Sequence, residues 1–164
     1  MTGARWVIGV GNPDRGDDAL GRVVAGRLRG RVDHGFEVLE QDGEMAALLA
    51  RLAEADAVIL IDAAAAGAAP GTIHRFDAGD GPLPPSLSTL STHGFGPAQA
   101  VELARAMGIL PAACVVYAVE GADFGTGRPL SVAVAAAAEE VTQRVLAELA
   151  RWQTTGESAC TKHP

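Results

Sequence analysis

Apolar residues fall along the chain in short blocks whose period switches between that of a strand and that of a helix. Residues 5–10 form a compact apolar run that stops at Gly11-Asn12-Pro13, which predicts a buried strand closed by a turn. Over residues 17–29, Leu20, Val23, Val24 and Leu28 follow helical spacing, with Asp17 or Asp18 placed to cap the first turn. Residues 36–40 predict a second strand. Residues 44–53 predict a second helix with Met45, Leu48, Leu49 and Leu52 on one side. The unbroken apolar run at 57–61 has the pattern of a central strand covered on both faces. Residues 72–76 are shorter and more polar, and predict an antiparallel edge strand. A Gly-, Pro- and Ser-rich loop follows over 77–91. A third helix is expected over 97–107, with Val101 and Leu103 inward and Gly108 as its stop. A fifth strand follows at 113–119, a loop at 121–129 and a long helix at 131–152.

Alternating strands and helices predict an α/β fold with a mostly parallel sheet and helices on both faces. No repeat or linker interrupts the pattern. We expect one domain over residues 1–152 and a flexible C-terminal tail over 153–164. In such a sheet, ligands sit in the crevice beyond the C-terminal ends of the strands, which is where chemistry is sought.

Composition narrows the function. The 164 residues are 48% hydrophobic but only 4% aromatic, so Ala, Val, Leu and Ile must build the core. The net charge of −7 repels phosphate backbones and anionic surfaces, which argues against nucleic acid and membrane partners. It suits a basic protein segment or a metal cation. Cys114 lies in an apolar run and reads as a small buried hydrophobe, Cys160 lies in a polar stretch, and no disulfide framework is expected. There is no secretory pattern, and no apolar run approaches the ~20 residues that span a bilayer. These features predict a cytoplasmic protein, and small size without an obvious apolar patch predicts a monomer.

The first strand runs into Gly9-Val10-Gly11-Asn12-Pro13-Asp14-Arg15-Gly16-Asp17-Asp18. A dinucleotide fingerprint fails here, because Asp14 occupies the third glycine position. Asp14, Asp17 and Asp18 also crowd the helix start where a pyrophosphate would sit, and Arg15 offsets only one of them. One acid is explained as a partner of the helix dipole, whereas two adjacent acids exceed that need. Asp62 follows the central apolar run, and His93 sits in Ser91-Thr92-His93-Gly94-Phe95-Gly96 just before the third helix. Asp18, Asp62 and His93 come from three loops at the crevice. They form a mixed oxygen and nitrogen donor set suited to Ni²⁺ or Zn²⁺, with positions left for water or substrate. Nucleophile and zinc-protease motifs are absent: there is no G-x-S-x-G and no H-E-x-x-H, and Cys114 falls mid-strand. His34, His74 and His163 read as structural or exposed.

Gly9-x-Gly11-Asn12 followed by Asp17-Asp18 and Gly21 resembles the N-terminal signature of nickel–iron hydrogenase maturation endopeptidases. Asp62, His93, Gly108 with Pro111, Glu120-Gly121 and Leu130-Ser131 continue the resemblance over about residues 5–150. It implies a three-layer α/β/α sandwich with a five-stranded sheet. It implies removal of a C-terminal extension from a nickel-loaded hydrogenase large-subunit precursor. The metal expected is nickel carried by the substrate, with other divalent metals able to replace it, and the family's metal contacts would map to Asp18, Asp62 and His93. Asp18 and Asp62 are the catalytic candidates, and Asn12, Asp17, Glu40 and Gly43 the substrate-binding ones. Two departures stand out. Asp18 is one methylene shorter than the Glu common in the family, so Asp17 is an alternative ligand. Glu40-Gln41-Asp42-Gly43-Glu44 replaces an acid-Gly-Gly-Thr-like segment thought to contact substrate. A non-catalytic nickel-sensing chaperone or binding module on the same three residues is the rival expectation, and a nucleotide-binding α/β protein a third.

Overall fold

The computed structural model describes residues 3–32, 35–85 and 96–160, with side chains to residue 153. Strand β1 (Ala4–Val10) leads through a 3-10 turn (Gly16–Ala19) into helix α1 (Leu20–Leu28). Next come β2 (Phe36–Gln41), α2 (Met45–Glu54), β3 (Ala55–Ala64) and β4 (Ile73–Asp77). Helix α3 (Pro97–Ala106), β5 (Ala113–Glu120) and α4 (Val132–Cys160) complete the described order.

The strands form one five-stranded sheet in the order β2-β1-β3-β5-β4. All pairings are parallel except β4 with β5, so the edge strand expected from the polar 72–76 pattern is antiparallel. Strand alternation divides the core in two. Trp6, Ile8, Val10, Val58 and Leu60 pack with Leu48 and Leu52 of α2 and Ala100, Val101 and Ala104 of α3. Val7, Ile59, Ile61, Tyr117 and Val119 face Leu20, Val24 and Leu28 of α1 and Val134, Val141, Val145 and Leu149 of α4. The result is the three-layer sandwich expected.

Several boundaries move for identifiable reasons. The helix expected from residue 17 begins as a 3-10 turn, and neither Asp17 nor Asp18 caps it. Glu44 stands just outside α2 and caps it, accepting from the Ala46 and Ala47 N–H groups at 3.0 Å each. Strand β3 runs beyond Ile61 through Asp62 to Ala64, because the small apolar residues after Asp62 keep pairing with β5. Leu103 is not inward: it is 42% exposed while Val101 is fully buried. Two residues apart on a helix is about 200°, so both cannot face one core, and Ala100 and Ala104 flank Val101 instead. Gly108 does end α3, with φ +71°. The last helix continues past residue 152 to Cys160.

A buried polar network ties α4 to the sheet. Glu148 of α4, 1% exposed, accepts from Tyr117 Oη at 2.5 Å and from Arg75 Nε at 2.9 Å and Nη2 at 2.5 Å. Burial works to raise the Glu148 pKa, but the bonds from Arg75 and Tyr117 outweigh it and hold the carboxyl below its usual range. Burial and the neighbouring carboxylate push the Tyr117 hydroxyl up to about 12.

Candidate active site

Strand β1 has β2 on one side and β3 on the other, so the chain order reverses at β1. The C-terminal ends of β1 and β3 therefore flank the switch-point crevice of an open α/β sheet. The residues that build the crevice are glycines first. A Cβ on Gly9 would lie 2.0 Å from the Gly21 carbonyl oxygen, and one on Gly21 would lie 2.3 Å from that of Ile61. Helix α1 thus rests on β1 and β3 at backbone distance. Gly11, with φ +146°, approaches the Asp18 backbone so closely that a Cβ would meet its carbonyl oxygen at 1.9 Å.

That fold-back gives the two adjacent acids different surroundings. Asp18 is 8% exposed, and its Oδ2 accepts from the Asn12 N–H at 3.1 Å. The Asn12 side chain accepts from the Asp14 N–H at 2.9 Å and shapes the turn. Asp17 is fully buried and points to the loop between β5 and α4. Its oxygens accept from the N–H groups of Ala122 (2.7 Å), Asp123 (3.0 Å) and Ser131 (2.7 Å) and from Ser131 Oγ (2.9 Å). Burial raises its pKa, but these four bonds prevail and the carboxyl sits below its ordinary range. Asp17 braces the loop before α4 rather than the helix that follows it in sequence.

Asp62 lies in β3 on the same face as Val58 and Leu60, toward α2 and α3. Its carboxyl is pushed up to about 8, first by burial and second by the negative charge of Asp18, against a lowering bond from the Ala63 N–H. Asp18 and Asp62 therefore form one electrostatically coupled acid pair. Two carboxylates that resist joint ionisation are a donor set that a divalent cation would relieve. Among the described residues, no group of three or more His, Cys, Asp and Glu side chains is arranged to hold a metal ion. The expected third donor, His93, lies outside the described residues. The chain on either side of that segment is described. Leu83 and the Arg105-bonded Gly81 run along α3 toward Pro85, which shares a cavity with Ala98 and Gln99 of the first turn of α3. Gly96, the residue just before α3, donates its N–H to Gln99 Oε1 at 2.7 Å.

Glu40 and Gly43 flank the crevice on the β2 side. Glu40 is paired with Arg22 Nε at 3.0 Å and Arg29 Nη2 at 2.5 Å, and the Arg29 bond foremost holds its carboxyl low against the opposing effect of burial. Arg22 also donates to the Gly11 carbonyl at 3.3 Å, tying β2 to the first loop. Gly43 has φ +97°, and a Cβ there would sit 3.2 Å from Val10 Cγ1.

One further acid has a structural part that residue-by-residue reading missed. Glu120, 1% exposed at the end of β5, accepts from the N–H groups of Ala66 (2.9 and 3.1 Å) and Ala68 (3.3 Å), fixing the chain just after Asp62. Its signal in the sequence was an acid ending an apolar strand, the same signal that marked Asp62.

Residues 30–148 match the family model described as hydrogenase maturation protease. No curated protein matches the chain. Among solved structures, it is similar to the hydrogenase maturating endopeptidase HybD from Escherichia coli, with 25% identity, a TM-score of 0.71, and 90% of this chain and 93% of that one covered. It is equally similar in sequence to the [NiFe] hydrogenase maturation protease HycI from Thermococcus kodakarensis KOD1, at 25% identity, with the same coverages and a TM-score of 0.66. The endopeptidase HycI from Escherichia coli, 20% identical with a TM-score of 0.69 over 90% of each chain, shares the fold. The glycine-built crevice and its coupled acids thus sit in a chain that belongs to the hydrogenase maturation proteases, a family of endopeptidases.

Proposed function

We propose that this endopeptidase removes the C-terminal extension of a nickel-loaded hydrogenase large-subunit precursor in the cytoplasm, acting as a monomer. Nickel arrives as part of the substrate, and Asp18, Asp62 and His93 contact it. The observation that carries this reading is the coupled pair Asp18–Asp62 at the switch point, poised to gain from a cation that neither residue supplies. An incomplete donor set makes binding depend on the loaded state of the precursor. Other divalent metals in the precursor would satisfy the same donors.

In this scheme water attacks the carbonyl carbon of the bond to be cut. One of the two carboxylates takes the water proton and returns it to the departing amine as the C–N bond breaks. Asn12 shapes the turn that presents Asp18, and Asp17 holds the loop behind it. Glu40 and Gly43 border the path of the substrate chain.

The test mixes the protein with precursor, with and without nickel, and follows the size of the precursor on a gel. Cleavage by the wild type with nickel alone, lost in Asp62→Asn and Asp18→Asn and weakened in His93→Ala, is the expected result. Normal cleavage by Asp62→Asn would remove that residue from the site. Nickel-dependent binding with no cut would instead mark a sensing module.

A further inference from the structure

The β1–β3 pairing ends at Gly9 with Ile61, so Asp62 stands one residue beyond it. From Asp62 to Ala64, strand β3 is paired with β5 alone, through Ala118, Val119 and Glu120. The acid thus sits on a strand end supported from one side. The segment that follows gives that end little help. Residues 65–70, Ala-Ala-Gly-Ala-Ala-Pro, are all exposed and carry no polar side chain with which to brace their own backbone. By the sheet order, this segment crosses over the end of β5 on its way to β4.

Glu120 holds the crossing from beneath. Asp62 is level with Ala118, so Glu120, two residues further along β5, lies on the same face of the sheet as Asp62. Its side chain is buried, and its two oxygens accept from the Ala66 N–H at 2.9 and 3.1 Å, while Oε1 also accepts from that of Ala68 at 3.3 Å. Its main-chain oxygen accepts from the Gly71 N–H at 2.8 Å, and the next residue, Gly121, donates to the Ala64 carbonyl at 2.9 Å. The imidazole of His74 faces the carboxylate from β4, but its Nε2 is 3.7 Å from Oε1, beyond hydrogen-bond length. Among the described residues, the hydrogen bonds of this carboxylate therefore all go to the segment after Asp62. Burying a charge is costly, and a neutral acceptor would serve a loop that only had to be closed. Bonds to an ionised acceptor are roughly twice as strong, which suits a strand end that must be held still.

We propose that Glu120 is a positioning residue for the cleavage reaction: by pinning Ala66 and Ala68 it fixes the one-sided end of β3, and with it the place of the Asp62 carboxyl in the crevice. This rests on the proposed part of Asp62 in the site. In this role Glu120 touches neither the substrate nor the reacting bond, and its effect on the reaction passes through Asp62.

The experiment measures cleavage of nickel-loaded precursor by wild type, Glu120→Gln and Glu120→Ala, each below its unfolding transition as followed by circular dichroism. Amide exchange is read in parallel at Ala66 and Ala68. Glu120→Ala should speed exchange at both and lower kcat about a hundredfold, the cost of an acid displaced by about 1 Å, with KM within about twofold of wild type. Glu120→Gln keeps one oxygen for the Ala66 N–H and should recover about tenfold of that loss. Should the Ala variant fail to fold, the Gln variant decides alone, with a kcat about tenfold below wild type. Wild-type kcat in the Ala variant, or in the Gln variant where Ala does not fold, overturns the inference and leaves Glu120 as scaffold. A rise in KM alone overturns it too, since the loop would then be acting on substrate binding and not through Asp62. The reading beneath it fails separately: normal cleavage by Asp62→Asn takes that acid out of the site, and this inference with it, whatever the Glu120 variants show.

Discussion

Replacing Asp17 by Ala leaves the N–H groups of Ala122, Asp123 and Ser131 without their acceptor. We expect a loss of about 3 kcal/mol, read as a lower Tm and faster amide exchange over 121–131. Its carboxyl is depressed below 3.8, so its contribution is complete above that pH and lost as pH falls through the folded value. Asp17→Asn should accordingly flatten the acid side of the stability profile. Asp62 has the opposite sign. Its folded pKa of about 8 exceeds the ordinary 3.8, so the unfolded chain releases that proton first. Stability of the metal-free protein should fall between about pH 4 and pH 8, by at most about 1.4 kcal/mol per pH unit. Asp62→Asn should lack this decline and melt higher than wild type at pH 8, in a thermal scan made without metal. Asp18→Asn should move the Asp62 pKa downward, measurable by carbon NMR of its carboxyl group. Asp62 was legible in the sequence because a run of apolar residues ends on it. The division of labour between Asp17 and Asp18 was not, because the partners of Asp17 lie more than a hundred positions along the chain.

The elements themselves were largely written in local patterns, since most strands and helix cores of the described order follow an apolar period and β4 shows as a short, more polar run. What local patterns omit is how elements touch. Gly21 entered the sequence reading only as a member of the N-terminal signature, and the pattern alone does not say that it lets α1 lie on the backbones of β1 and β3. Gly21→Ala should cost about 3 kcal/mol or more in urea unfolding, since the added methyl meets two carbonyl oxygens, of Ile61 and Val10, and no flexible side chain can yield. Glu148 is a second case. Helical periodicity explains the apolar stripe of α4 but gives no reason for an acid inside it, and the reason lies on β4 and β5. Tyr117→Phe should cost about 2 kcal/mol. Arg75→Met should cost about 2–3 kcal/mol in the same denaturant titration, since it removes two charge-assisted bonds while Tyr117 and Arg151 still face Glu148.

At the scale of the whole molecule, the sheet order puts the proposed Asp18–Asp62 site where β1 changes neighbours, the kind of crevice in which the alternating strand–helix pattern says to look, without saying which loops meet there. Among the described residues, no helix is long and apolar enough to cross a membrane. The brace between Asp17 and Ser131 joins the first loop to the entry of the last helix, and that helix shares with α1 the cover of one face of the sheet. Synthesis on the ribosome delivers these two partners 114 positions apart. A nascent chain that has reached residue 130 holds both acids of the crevice but neither the clamp behind the first loop nor the lining from Val134 to Leu149. Competence to cut is therefore acquired only once residues 131–149 have joined the fold, and a chain arrested at residue 130 should leave the precursor whole.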